Sequence, residues 1–383
     1  MIPKTAPSFA TIFTGRHPRE HGVRSNFARL PTELPVLAEQ LREAGYRTAA
    51  FVSNPALREK KGFARGFDHF ELLREEQGVA RVNRAFHAFA ASDWTQPTFV
   101  WLHYIDPHGP YEPPEGMASL FLDDELAQAP DLVPGGYEVD EARPNKVLGA
   151  VPRYQQREDG ELRVARYVAR YDAEIRYVDH AFGRVLDLLR ERDLYEQAAI
   201  VFTSDHGESL GEHDFYFEHG WFAYDPGLRV PLLIKTPGQR EGRRVDAQVS
   251  NLDLHPTLLG LAGAGARAGE TDGVDLLRRL PSDRDAILVE SSDLYPEKFV
   301  GARSARWKYL RREHDGREEL YDLVADPAES VNLAEREPEV RRGLAEFTAR
   351  RRALLEARAI EPAPGEPDDP ETLERLRALG YVE

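Results

Sequence analysis

Through the first two-thirds of the chain, apolar positions fall alternately at helical and at strand spacing. Leu34 to Ala44 carries them at helical intervals and stops at Gly45, while Tyr46 to Val52 is a short apolar run that predicts a buried strand. Val79 to Ala91 has a helical stripe and precedes the aromatic strand Thr98 to Tyr104. Tyr167 to Arg190 is a long amphipathic helix, and Ala198 to Thr203 and Arg229 to Lys235 are strand runs. Strands separated by helices predict an α/β fold with a mostly parallel sheet sandwiched by helices. Between about Glu112 and Arg163 a Pro- and acid-rich stretch lacks clear periodicity and reads as a surface excursion near the mouth of a site.

Beyond Asp283 the pattern shortens. Ala286 to Glu290, Trp307 to Arg311 and Glu319 to Leu323 read as strands, and Pro338 opens a charged helix over about Glu339 to Arg358. Three units are therefore expected: an α/β domain over 1–283, a small α+β subdomain over 284–360, and over 361–383 a Pro-rich linker with a terminal helix.

Composition changes this picture mainly by exclusion. With 383 residues, 41% hydrophobic and 30% charged, the chain can bury one large core. Its net charge of −16 argues against nucleic acid as a partner, because phosphate contacts need basic faces. The absence of cysteine removes disulfides, thiolate metal sites and any cysteine nucleophile. No run reaches the roughly 20 apolar residues of a membrane span. Compartment and oligomeric state stay open.

The candidate chemistry starts at Thr203-Ser204-Asp205-His206-Gly207-Glu208, directly after a predicted strand. An open α/β sheet presents its ligand site at the carboxyl ends of its strands. A carboxylate beside a neutral imidazole there suits a divalent ion such as Zn²⁺ or Mn²⁺. By contrast Asp172, Glu174, Asp179 and His180 lie on the long helix, whose amphipathic spacing explains them. His213 reads as a solvated loop residue and His103 as a residue inside its strand.

The opening Lys4-Thr5-Ala6-Pro7-Ser8-Phe9-Ala10-Thr11, with Thr14-Gly15-Arg16-His17-Pro18, resembles the nucleophile segment of the sulfatases and their phosphoesterase relatives in the alkaline phosphatase superfamily. His103 to Tyr111, Ser204 to Glu208, Leu228 to Ile234, Trp307-Lys308-Tyr309 and Leu320-Tyr321-Asp322-Leu323 extend the resemblance in order over nearly the whole chain. It implies a hydrolase of small anionic esters with a divalent ion (Zn, Mn or Ca) at Asp205, His206 and Thr5. It further implies Thr5 as nucleophile, His108 as general acid, and Asn26 and His219 as groups that bind the substrate. Thr5 is also suited to cap a helix that starts near Pro7.

Thr5 stands where sulfatases carry the Cys or Ser that becomes formylglycine, an aldehyde that Thr cannot form. Phe9 replaces an Arg of the signature, and Val52-Ser53-Asn54-Pro55 falls where a Gly-Lys-x-His string is usual. These departures point to phosphoric diesters or phosphonates as substrates, with a sulfuric ester hydrolase or an inactive anion-binding homologue as the alternatives. Members of the family also begin with a strand that ends in acidic residues. The sequence starts almost at Thr5, so the expectation is a missing first strand, an under-coordinated metal and a coding region that extends upstream.

Overall fold

The computed structural model describes residues 1–74, 78–92, 94–122, 132–134, 149–157, 159–265, 271–281, 286–294, 298–360 and 368–381. Three parallel strands form the first sheet: β1 (Arg47–Val52) runs between β2 (His69–Leu72) and β3 (Thr98–His103). Val52 pairs with His103, so the carboxyl ends of β1 and β3 finish at the same edge.

Alternate residues of β1 enter opposite layers, as the two-residue period of a strand requires. Ala50 and Val52 pack with Ala6, Phe9, Ala10 and Phe13 of the first helix, α1 (Thr5–Thr14). Ala49 and Phe51 pack with Val82 and Phe86 of α2 (Gly78–Ala90) and with Val185 and Leu188 of α3 (Val164–Glu191). The sheet is thus covered on both faces. Helix α1 is buried along its whole length. Its polar Thr11 and Thr14 reach that position because their hydroxyls donate to the carbonyls of Pro7 and Ala10 one turn back. Gly15 ends the helix in the left-handed region, where a β-carbon would run into Thr271.

A second pair, β4 (Ile200–Thr203) with β5 (Leu232–Lys235), is antiparallel, in contrast to the parallel neighbours of β1. Apolar runs look alike in either direction, so only the course of the intervening chain reveals this. Four antiparallel strands in sequence order form the later sheet: β6 (Ile287–Glu290), β7 (Phe299–Arg303), β8 (Trp307–Arg312) and β9 (Glu318–Asp322). One face meets α4 (Pro338–Glu356) through Leu288, Val300 and Leu355; the other meets Ala223 and Tyr224 through Val289, Phe299 and Leu310. Strand β7 escapes the apolar pattern because Gly301 interrupts it. Gly301 is there because a side chain would strike the Tyr309 carbonyl on β8.

The last element, α5 (Pro370–Ala378), is capped by Asp369, whose carboxylate accepts from Thr372 N at 2.9 Å. Most of the excursion expected over 112–163 lies outside the described residues. No described helix is long and apolar enough to cross a membrane.

Candidate functional site

All six residues singled out in the sequence converge on the carboxyl-end edge of the sheet. Thr5 opens α1; it is the helix's first residue rather than its cap, and Lys4 before it makes no side-chain capping bond. Asn26 takes the capping work instead, since its Oδ1 accepts from Ala6 N at 2.9 Å. The Nδ2 of Asn26 is buried with no hydrogen-bond partner.

Asp205 and His206 follow β4, as expected, and His206 reaches the nucleophile position: its Nε2 lies 3.3 Å from Thr5 Oγ1 and 3.3 Å from Asp205 Oδ2. His206 Nδ1 is 2.8 Å from the Gly207 carbonyl, which can only accept. That nitrogen therefore carries the proton, and in the neutral ring Nε2 presents a lone pair. Gly207 is required where Pro226 O crosses, because a β-carbon would clash with that carbonyl.

The histidines are stacked together. The His219 ring lies 4.0 Å from that of His206, and the His108 ring meets His219 edge-on at 5.2 Å. Burial holds His108 at about 3 and drives His219 well below the ordinary imidazole value, with His206 close by adding to the effect on both. His108 Nδ1 donates to the Gly109 carbonyl at 2.7 Å, leaving Nε2 as a buried lone pair without a partner.

Sequence reasoning left three further members of the site unassigned. Glu208 faces His219 Nδ1 at 3.2 Å, and burial followed by the charge of Glu218 pushes its carboxyl well above the usual range. Lys4 is 1% exposed; burial lowers its ammonium, while Glu218 and Glu208 favour the charged form. A lysine inside the apolar opening Met1-Ile2-Pro3 was the available signal for it. The third is Tyr381, from just beyond α5: its hydroxyl lies 3.3 Å from Thr5 Oγ1 and accepts from Asn54 Nδ2 at 3.0 Å. His213, expected in solvent, instead stacks on Tyr224 with ring centres 3.6 Å apart, so it belongs to the packing and not to the loop surface.

Asp205 Oδ2, His206 Nε2 and Thr5 Oγ1 are ligand-type atoms. The 3.3 Å separations from His206 Nε2 match neighbouring corners of a shell whose metal–ligand distances are about 2.0 to 2.6 Å. In the neutral tautomer, a lone pair facing a carboxylate is also an arrangement that a cation between them would stabilise. The donor set fits a divalent ion in type. Among the described residues, no group of three or more imidazoles or carboxylates gathers for a metal.

The sequence model described as Sulfatase matches residues 2–264, and one described as N-sulphoglucosamine sulphohydrolase, C-terminal, matches residues 211–350. The chain belongs to the sulfatase family, whose members are hydrolases acting on ester bonds. It is 28% identical to a choline-sulfatase of Rhizobium meliloti over 87% of this chain and 73% of that protein. A solved structure in complex with its substrate D-glucosamine-2-N,6-O-disulfate superposes with a TM-score of 0.72 at 20% identity, covering 96% of this chain and 90% of the other. The crystal structure of the phosphonate monoester hydrolase of Agrobacterium radiobacter gives 0.71 at 23% identity, covering 92% and 87%. These structures share the alkaline phosphatase-like fold seen here.

Proposed function

We propose that the chain hydrolyses small anionic sulfuric esters with the Thr5 hydroxyl as the attacking group. The observation that carries the chemistry is the convergence of Thr5 Oγ1, His206 Nε2 and Asp205 Oδ2 within 3.3 Å steps at the start of a buried helix. The sulfuric ester as substrate class is supported by relatives such as the choline-sulfatase.

Asp205, His206 and Thr5 would hold a divalent ion, Ca or Mn by family habit, which lowers the hydroxyl pKa and draws in the anionic ester. Thr5 Oγ1 attacks the sulfur or phosphorus and gives its proton to solvent water, the bond to the leaving oxygen breaks, and His108 protonates that oxygen. Water then cleaves the ester on Thr5. His108 is held neutral by burial, so the substrate's negative charge must favour its protonated form. Asn26 Nδ2, His219 and Lys4 stand around the same point as groups able to bind the ester's oxygens.

Thr5 itself favours a second reading. A threonine cannot supply the formylglycine aldehyde, and direct alkoxide attack suits phosphorus, the centre handled by the phosphonate monoester hydrolase whose fold this chain shares. A panel of matched aryl sulfate, aryl phosphonate and aryl phosphodiester, assayed with Ca²⁺ and with Mn²⁺, decides between them. Faster sulfate turnover supports the first reading, faster phosphonate or diester turnover replaces it with the second, and no turnover with retained anion binding leaves an inactive homologue.

A further inference from the structure

Tyr381 covers the nucleophile. Tyr381 is 5% exposed and Thr5 is 1% exposed, so the hydroxyl that should attack is closed off from solvent. For reaction, the electrophilic centre must come within roughly 3 to 3.5 Å of Thr5 Oγ1. The Tyr381 hydroxyl already stands at 3.3 Å from that atom. The phenol ring lies edge-on to His108 at 5.3 Å and beneath the Lys4 ammonium, also at 5.3 Å. A side chain of this protein thus occupies the volume that an ester would need, in contact with the groups proposed to bind it.

The segment is held by a small apolar cluster and a set of polar bonds, among them Arg74 to Glu371 at 2.8 Å and Asn54 Nδ2 to the Tyr381 hydroxyl at 3.0 Å. Segment 368–381 buries Leu376, Leu379 and Tyr381 against Ala56, with Phe27 and Ile105 alongside, as a cluster separate from the main core. Asp368 pairs with Arg58, and Arg375 donates to the Leu73 carbonyl at 3.1 Å. Gly380, at φ +69°, turns the chain into the site where a β-carbon would strike the Tyr154 ring. The Tyr381–Thr5 contact is long for a hydroxyl pair, whose usual separation is about 2.7 to 2.8 Å, so it is weak and replaceable.

We infer that residues 368–381 form an autoinhibitory strap that seats Tyr381 on Thr5 and must withdraw before an anionic ester can bind. This rests on the placement of the substrate site in the proposed function, and it is a statement about binding, which can be tested apart from turnover. The apparent affinity of a site that is open for only a fraction of the time is reduced by that fraction.

Calorimetric titration with inorganic sulfate tests the strap on the full chain, on Tyr381→Ala, on Tyr381→Phe and on a chain shortened after residue 367. If the strap is docked about nine-tenths of the time, the Ala variant and the shortened chain bind sulfate about tenfold more tightly than the full chain. Tyr381→Phe falls between them, since it keeps the ring and loses the hydroxyl contacts. A synthetic peptide of residues 368–383 added to the shortened chain competes with sulfate, and its Tyr381→Ala version does not. Equal affinity in all forms, weaker affinity on removing Tyr381, no binding by any form, or unfolding of both the Ala variant and the shortened chain would each overturn the strap. Tighter sulfate binding without hydrolysis of 4-nitrophenyl sulfate would keep the strap and count against the hydrolase reading instead.

Discussion

The hydroxyl of Tyr381 lies 3.3 Å from Oγ1 of Thr5, although 376 positions separate the two residues in the chain. Thr5 is therefore both the proposed nucleophile and the end point of a contact that ties the last helix to the first. This sets how the site must be probed: substitutions at Thr5 should be read in the full chain and in the Tyr381→Ala chain, so that loss of attack is separated from loss of the contact.

Thr5→Ala should reduce turnover of the best ester by at least about 10³-fold in both backgrounds, the scale on which removal of a nucleophile acts. Thr5→Ser keeps a hydroxyl and should retain measurable activity. Intact-mass analysis of acid-quenched reactions should show a sulfuryl or phosphoryl adduct on the parent chain and none on Thr5→Ala. Full activity without Thr5 would remove it from the chemistry.

Asp205→Ala and His206→Ala should each lower Ca²⁺ or Mn²⁺ retained after dialysis, measured by elemental analysis, and should abolish hydrolysis. The argument is geometric: His206 Nε2 lies at 3.3 Å from both Asp205 Oδ2 and Thr5 Oγ1, so losing either side chain leaves a pair of ligands at most. Unchanged metal content in both variants would contradict the assignment.

Much of this arrangement was legible in the sequence because it is local. The helices over 37–43, 78–90 and 164–191 follow from apolar spacing, that over 338–356 from its charged composition and Pro338, and Asp205-His206 follows from its place after a strand. What escaped depended on distant pairing. The apolar run of β5 carries no mark of its antiparallel direction, and Gly301 hides β7 because its reason is the Tyr309 carbonyl on the neighbouring strand. Tyr381 escaped for the same reason. Leu376, Leu379 and Gly380-Tyr381 announce a helix with an apolar stop, but nothing local says that its docking face is Ala56 and Thr5. His213 was misread because its partner, Tyr224, comes from another loop.

Asp225 and Arg303 join the two sheet systems, with Arg303 Nε and Nη2 donating to the two carboxylate oxygens at 2.9 and 2.8 Å and Lys308 Nζ at 2.5 Å from Asp225 Oδ1. Burial by itself would raise the Asp225 carboxyl, but Arg303 and Lys308 outweigh it and hold the group well below the usual carboxylate range. A depressed carboxylate pKa gives stability that is present above the unfolded value of about 3.9 and lost as pH falls through the folded value. Asp225→Asn should therefore destabilise the chain by about 3 kcal/mol at neutral pH, the cost of leaving Arg303 without its carboxylate and Lys308 with Glu329 as its remaining partner. Chemical denaturation should detect this, with a smaller difference from the parent near pH 3. Equal midpoints at pH 7 would show that the pair contributes nothing net.

Two histidines outside the proposed metal ligands set a second pH response. His21 is fully buried; its Nδ1 accepts from Val23 N at 3.1 Å, so that nitrogen has no room for a proton, and its Nε2–H is directed to Thr11 Oγ1 at 3.1 Å. His255 donates from Nδ1 to the Phe13 carbonyl at 3.0 Å. Burial lowers His21 from 6.5 to about 3 and His255 from 6.5 to about 4. Above pH 6.5 both are neutral folded or unfolded and contribute no pH dependence. Below it the unfolded chain takes up protons that the folded chain refuses, so stability falls with pH down to about 4, where His255 begins to titrate in place. The slope is at most about 1.4 kcal/mol per pH unit for each histidine. Denaturation midpoints measured from pH 7.5 to pH 4.5 should decline more steeply for the parent than for His255→Gln, whose amide can keep the bond to Phe13 without titrating. A parent and variant with parallel declines would show that His255 does not remain neutral through this range, and that the acid sensitivity of the fold arises elsewhere.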